Sequence, residues 1–240
     1  MIHLYLPRVK MSISKIKPSP FIKEWIHLFV FAFLLFAGRS AIADWNRIPS
    51  SSMEPTLYVG DLILVNKLAY DLKIPFTTKH VAQWSDPKRG EIVVFYKPGD
   101  GLRLVKRVIG TPGDVIEMKD NRLIINGYQT TYQVHSKPLR YNLPKDEQSL
   151  AVVATESLDN KAHAVMALPS QPALRTFGPI EVPEGQYLML GDNRDNSGDS
   201  RYFGFVPRKQ IVGRVERVIV SWDKEDFYKP RFERFFQQLV

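Results

Sequence analysis

Arg103-Leu-Val-Lys106-Arg107-Val-Ile-Gly-Thr-Pro-Gly113 is the stretch on which the fold reading turns. Its Leu, Val and Ile residues show no 3.6-residue spacing, so it reads as a strand, and Pro112-Gly113 ends it in a sharp turn. Two consecutive cations on a strand point to opposite faces, so one of Lys106 and Arg107 meets the interior. A solvated lysine on a sheet edge is the ordinary alternative. A lysine turned inward loses hydration, and its pKa falls from ~10.4. A neutral amine of that kind can accept the proton of a serine hydroxyl.

Similar short runs lie on either side of it. Leu62–Asn66, Glu91–Tyr96, Val115–Met118, Leu123–Ile125, Tyr128–Val134, Gln186–Leu190 and Ile211–Val220 are rich in β-branched, aliphatic and aromatic residues and are punctuated by turns. Asn126-Gly127 between two of them is a two-residue hairpin signal. Residues 136–185 are more polar and carry six prolines, which reads as an inserted β-rich subdomain or large excursion spanning about 115–185. The expected architecture is mostly β, an antiparallel sheet with that insertion. Near the C-terminus, Phe227, Tyr228, Phe232, Phe235, Phe236 and Leu239 could line one side of a short helix, packed on the body or touching a membrane surface.

The chain has 240 residues, enough for one or two domains, and no cysteine. That absence excludes a disulfide scaffold, thiolate metal sites and thiol catalysis. The formal charge of +8 is concentrated at one end: Arg8, Lys10, Lys15, Lys17 and Lys23 stand without an acid in residues 1–23. A basic tail on a nearly balanced body does not make a nucleic-acid face. It precedes Trp25-Ile-His-Leu-Phe-Val-Phe-Ala-Phe-Leu-Leu-Phe-Ala-Gly38, and the run resumes after Arg39 up to Ala43. As a helix, residues 25–43 span ~28 Å, just enough for a bilayer if Arg39 snorkels. The same features, with Ala41-Ile42-Ala43, also form the parts of a cleavable export signal. Either way residues 1–24 stay in the cytoplasm and residues 44–240 are exported. The basic tail then faces an anionic leaflet.

Two further segments carry candidate chemistry. In Ile48-Pro-Ser50-Ser-Ser52-Met53-Glu-Pro-Thr56, Pro49 and Pro55 favour an extended chain, which puts Ser50 and Ser52 on one side and Met53 on the other. Gly191-Asp-Asn-Arg-Asp-Asn-Ser-Gly-Asp-Ser-Arg201 follows an apolar strand and mixes three aspartates with two arginines. Read as a calcium loop starting at Asn193, it would need a bidentate carboxylate at Gly204, so an ion-paired loop is the better reading. None of the five histidines sits in a catalytic motif, which favours lysine as a base over a Ser-His-Asp triad.

Together these three segments resemble the bacterial type I signal peptidases (leader peptidases), a serine–lysine endopeptidase family. The matching stretches are Ile48–Leu57, Gly60–Leu68, Gly90–Tyr96, Val105–Asp114 and Gly185–Gly213. The resemblance implies Ser52 as nucleophile, Lys106 as general base, and Ser50 with the Ser52 backbone N–H as oxyanion hole. It implies that Ser197 orients the lysine and that Arg107, Asp192, Asp199 and Arg201 brace the site. Ile48, Met53, Leu57 and Val105 are expected to line shallow pockets for small side chains one and three residues before the cut. It further implies preprotein signal peptides as partners, a phospholipid membrane, and neither metal, cofactor nor nucleic acid. The chain is then a single-pass protein of the cytoplasmic (inner) membrane, anchored by one helix at 25–43, with its catalytic domain outside. Ser51 stands where the family often has glycine, and many Gram-negative members have a second membrane segment that is not found here. A peptidase dedicated to one substrate, such as a pilin, is a narrower alternative. An exported β-rich binding protein is the non-enzymatic one, and a cytosolic self-cleaving repressor lacks support for want of a helix-turn-helix signal.

Overall fold

The computed structural model describes residues 20–74, 77, 79–135, 151–159, 161–224 and 226–239. The basic residues before position 20 and the prolines at 138 and 144 lie outside the described residues. The chain divides into two units, 1–38 and 39–240. A helix begins in the first at Pro20, where the missing N–H of proline costs nothing, and ends in the second at Ile42. Trp25, Leu28, Phe29, Phe31, Phe33 and Phe36 on it are all exposed. Among the described residues no helix is long and apolar enough to cross a membrane. The helix stops one residue short of the expected Ala43, because Ala43 pairs with Asn66 as the start of a strand.

The strands of the second unit are β1 (Ala43–Arg47), β2 (Asp61–Asn66), β3 (Asp71–Lys73), β4 (His80–Gln83), β5 (Ile92–Tyr96), β6 (Arg103–Gly110), β7 (Val115–Lys119), β8 (Arg122–Ile125) and β9 (Tyr128–Gln129). They continue with β10 (Thr131–Val134), β11 (Val152–Leu158), β12 (Lys161–Ala167), β13 (Phe177–Glu181), β14 (Gln186–Leu190), β15 (Val206–Pro207), β16 (Ile211–Asp223) and β17 (Lys229–Pro230). The main sheet has the order β1-β2-β16-β5-β6-β14-β15, with β17 on β16. Neighbouring strands in it are antiparallel. Two smaller sheets, β10-β11-β12 and β13-β7-β8-β9, are built wholly from residues between β6 and β14. Since β6 and β14 are themselves neighbours, the insertion is one long excursion between adjacent strands.

The centre of the main sheet is buried on both faces. Along β5, Ile92 and Val94 join Ile48, Met53, Leu57, Ile63 and Val65, whereas Val93 and Phe95 join Tyr70, Val108, Tyr187 and Met189. A run of four buried residues replaces the hydrophobic–polar alternation of a one-sided strand, as burial on two faces requires. The expected hairpin at Asn126-Gly127 is present, with φ of 52° and 82°, values that asparagine and glycine tolerate best.

The polar stretch 136–185, expected as part of a β-rich insertion, contains two seven-residue strands, β11 and β12, and the shorter β13. One expectation changes: the C-terminal aromatics form no α-helix. Positive φ at Phe227, Tyr228 and Phe236 breaks the helical path, and the segment pairs with β16 instead, Trp222 opposite Pro230 and Arg217 opposite Gln238. Phe95→Ala is expected to cost ~3–5 kcal/mol in chemical denaturation. Tyr128→Ala, at the exposed hairpin, should stay within ~0.5 kcal/mol.

Candidate active site

β1 and β2 form one hairpin, and its loop carries the serine cluster. The loop neck is closed by Ile48 N donating to Asp61 O (2.8 Å) and Gly60 N donating to Ile48 O (3.0 Å). Inside the loop the chain is not extended as the prolines suggested. Residues Ser51–Met53 make a 3-10 turn, with Glu54 N donating to Ser51 O and Leu57 N to Met53 O. Local hydrogen bonds win over the extended preference, and Met53 and Leu57 drop into the core as anchors. Ser50 and Ser52 still face each other, with their Oγ atoms 3.4 Å apart.

Lys106 sits on β6 between β5 and β14, opposite Val93. Its Nζ lies 2.5 Å from Ser52 Oγ. The side chain is only 3% exposed. Burial is the main reason that the Lys106 pKa drops from 10.5 to about 8; Asp199 and Asp192 pull it upward, and Arg201 pushes it down. That fall corresponds to roughly 3 kcal/mol against the ammonium form. The cleft in front of this pair, of about 210 Å³, is bounded by Ser50, Ser52, Ile48, Met53, Val105 and Lys106. Leu57 is not in its wall; it is fully buried beneath it.

Both cations of the β6 pair are buried, not one. Arg107, 1% exposed, donates from Nε to Asp192 Oδ1 at 2.9 Å and from Nη2 to Oδ2 at 2.8 Å. Its third donor meets Gly90 O at 2.6 Å. Burial raises the Asp192 pKa, but Arg107 and a hydrogen bond from Thr56 Oγ1 (2.5 Å) outweigh it, and the carboxyl stays below its usual range. Arg201 pairs with Asp199 in the same two-pronged way, both contacts at 2.8 Å, and Asp199 also receives Gly191 N. Ser197 lies in the same loop with a buried hydroxyl; among the described residues no hydrogen bond is found for it, to Lys106 or to any other group.

The Gly191–Arg201 loop holds the serine turn from behind. Asn193 N donates to Ser52 O, its Nδ2 to Ser51 O, and Asn196 Nδ2 to Ser51 Oγ. Ser51 thus points to Asn196, and not into the cleft. β12 in turn supports the loop, with Met166 N donating to Asp192 O and Arg194 N to Met166 O.

Sequence reasoning missed the residues of that support. Glu156 on β11 takes both arms of Arg194 and the Tyr132 hydroxyl. His163 on β12 lies 3.1 Å from Glu156 and 3.9 Å from Asp192. Burial first, then Arg107, lowers the His163 pKa. Glu156 and His163 are polar residues at inward strand positions, and only the partner loop gives them meaning. Among the described residues no group of three or more His, Asp or Glu is arranged to hold a metal ion.

The profile of the family described as "Signal peptidase, peptidase S26" matches residues 22–222. The chain is 36% identical over 238 residues to signal peptidase I of Pseudomonas fluorescens, covering 92% of this chain and 81% of that one. It is 34% identical over 260 residues to signal peptidase I of Pseudomonas aeruginosa, covering 96% and 89%. A probable signal peptidase I-2 of Synechocystis is 36% identical over 213 residues, covering 84% and 76%.

Gly191 gives a direct test of the packing. A Cβ there would stand 2.2 Å from Ser197 Oγ and 2.4 Å from the Ser52 carbonyl oxygen, and the latter is backbone that cannot swing aside. Gly191→Ala is expected to push the Ser52 turn off Lys106. With Ser52 as the nucleophile that the resemblance implies, an acylating probe should react at least ~100-fold more slowly, since displacements near 1 Å cost that much. Near-wild-type reactivity in folded protein would show that the loop does not set the serine position.

Proposed function

The chain belongs to the signal peptidases of family peptidase S26, and from that premise we propose that it cuts preproteins through a serine–lysine dyad, Ser52 and Lys106. A member of this family is a serine endopeptidase that removes signal peptides from preproteins. The observation that carries the dyad is the 2.5 Å contact between Ser52 Oγ and the buried Lys106 Nζ.

In this reading neutral Lys106 takes the Ser52 proton as Oγ attacks the scissile carbonyl. The ammonium so formed protonates the departing amine, and water then releases the acyl group by the reverse proton path. Ser50, 3.4 Å from Ser52 Oγ, supports an oxyanion hole together with the Ser52 N–H. Each donor of that kind is worth ~3–4 kcal/mol when it is fixed beforehand. Ser197, buried beside Gly191, has a hydroxyl at hand to orient the amine. A shallow cleft with Ile48, Met53 and Val105 in its wall suits small side chains at alternate positions of an extended substrate. Arg107, Asp192, Asp199 and Arg201 serve as braces, and no step needs a metal or a cofactor.

We also propose the membrane arrangement: a single-pass anchor at 25–43, the basic tail in the cytoplasm, and the peptidase on the exported side. Its support is the apolar run of residues 25–38, the +5 charge of residues 1–23 and the helix that contains the run. A sequencing result with Asp44 as the mature amino terminus would overturn the anchor.

Detergent-solubilised protein incubated with a preprotein carrying an Ala-x-Ala site tests the dyad. Wild type should cleave. Ser52→Ala and Lys106→Arg should not, because a guanidinium cannot become neutral. Cleavage by the arginine variant would remove lysine from the base role.

The pH dependence has a definite sign. The active form is the amine without its proton, so kcat/KM should rise with pH and level off above about 8, the Lys106 value. Arg201→Gln leaves the Asp199 carboxylate uncompensated beside the amine. That raises the Lys106 pKa and should move the rising limb to higher pH. A limb that moves down, or stays, contradicts this electrostatic role.

A further inference from the structure

The C-terminal segment after β17 belongs to no motif, and the reaction above does not use it. Its arginine at position 234 is nevertheless buried, whereas Phe232 and Phe236 on either side are exposed. Arg234 Nη2 donates to the carbonyl oxygen of Thr56 at 2.9 Å and to Asp61 Oδ2 at 2.6 Å, and Nε donates to Asp61 Oδ1 at 3.2 Å. The guanidinium carbon lies 4.2 Å from the centroid of the Tyr58 ring. Thr56 is four residues beyond Ser52, in the same loop, and its hydroxyl goes to Asp192. One residue of the serine loop is therefore gripped on two sides, by the signature loop through its side chain and by the C-terminal segment through its backbone.

Asp61 closes the same loop at its neck. It receives Tyr58 N on Oδ2, and its carbonyl receives Ile48 N. The segment itself is fastened independently: Val218 N donates to Gln237 O, Leu239 N donates to Glu216 O, and Phe235 packs edge-on against Trp222.

We propose that Arg234 is a positioning residue for the Ser52 turn, and that the C-terminal segment is the strap that delivers it. The proposal rests on the serine–lysine reading above. A planar fork suits the role, because it meets two carboxylate oxygens and a carbonyl while lying flat on a ring. A lysine offers a single point charge and cannot do all three.

The test measures kcat, KM and the pH profile for the solubilised full chain on the same preprotein, together with thermal unfolding. Arg234→Lys and Arg234→Met are compared with Arg231→Met. Arg231 sits on the same strap and lies over the same Tyr58 ring at 5.7 Å, but it reaches Val59 O, Ser221 Oγ, Trp222 O and Asp223, whereas the Thr56 carbonyl is held by Arg234. Folded Arg234→Lys should lose about tenfold in kcat with KM within about twofold. The rising limb should stay near the wild-type pH, because Arg234 bonds Thr56 and Asp61 and none of the charged groups that set the Lys106 value. Arg231→Met should keep kcat within about twofold of wild type. If Arg234→Met does not fold, Arg234→Lys carries the comparison. Unchanged kcat in Arg234→Lys overturns the proposal. So does an equal loss in Arg231→Met, or a limb moved to higher pH, since either would mean a generally loosened site. Wild type that fails to cleave, or Ser52→Ala that cleaves, strikes the dyad reading and not the strap.

Discussion

A lysine amine gives up its proton as low as about pH 8 only where water is excluded and nearby negative charge is partly compensated. Lys106 meets the first condition by standing on a central strand with the serine loop over it. The second is harder, because Asp199 and Asp192 both act to restore its proton. Each of these carboxylates is held two-pronged by its own arginine, Arg201 and Arg107. Buried ion pairs contribute little net stability, because desolvation consumes most of the attraction. Here their value is electrostatic: Arg201 offsets part of the pull that Asp199 and Asp192 exert on the amine.

The sheet order explains why such distant segments meet. β6 carries Lys106 and Arg107, and β14 lies beside it with Leu190 opposite Arg107. The loop that leaves β14 therefore begins next to the two cations, and Asp192 needs no long reach. Because β6 and β14 pair directly, residues between them can be inserted without separating the two strands, and that admits a pair of sheets. Yet the insertion is not a passive excursion. β12 returns to hydrogen-bond with the signature loop at Met166, and β11 supplies the carboxylate that Arg194 needs. Arg194 is fully desolvated, and without Glu156 it would be an uncompensated buried charge, costing ~3–5 kcal/mol.

What the sequence discloses follows from the range of the interactions involved. Five strands of the main sheet, β2, β5, β6, β14 and β16, and the Asn126-Gly127 turn depend on local composition and turn chemistry and are legible; β1, β15 and β17 are too short or too polar to show, and the β6 pattern says only that one of Lys106 and Arg107 turns inward. The serine turn is only half legible: Ser50 and Ser52 share a side as expected, but through a 3-10 turn and not an extended chain. Glu156 and His163 are opaque because their inward polar positions look like ordinary solvent-facing ones until the Arg194 loop is brought against them. The C-terminal aromatics mislead for a related reason. Their spacing fits a helix face, yet strand pairing with β16 offers more backbone hydrogen bonds than a one-turn helix does.

The serine loop itself shows how position is fixed where packing is thin. Ile48, Met53 and Leu57 tie it to the apolar core, and these few side chains by themselves leave the turn free to rock about them. Rotation is stopped by hydrogen bonds from separate elements: Asn193 and Asn196 at Ser51 and Ser52, Asp192 at Thr56, and the neck bonds at Ile48 and Gly60. Most of these contacts end on backbone atoms or on small hydroxyls, so the demand falls on the geometry of the donors and much less on the identity of the loop residues. That is why Ser51 can stand beside Ser52 with its side chain turned to Asn196. It is also why the severest constraint in the region is a glycine, Gly191, whose missing side chain lets two loops approach to within contact of the Ser52 carbonyl.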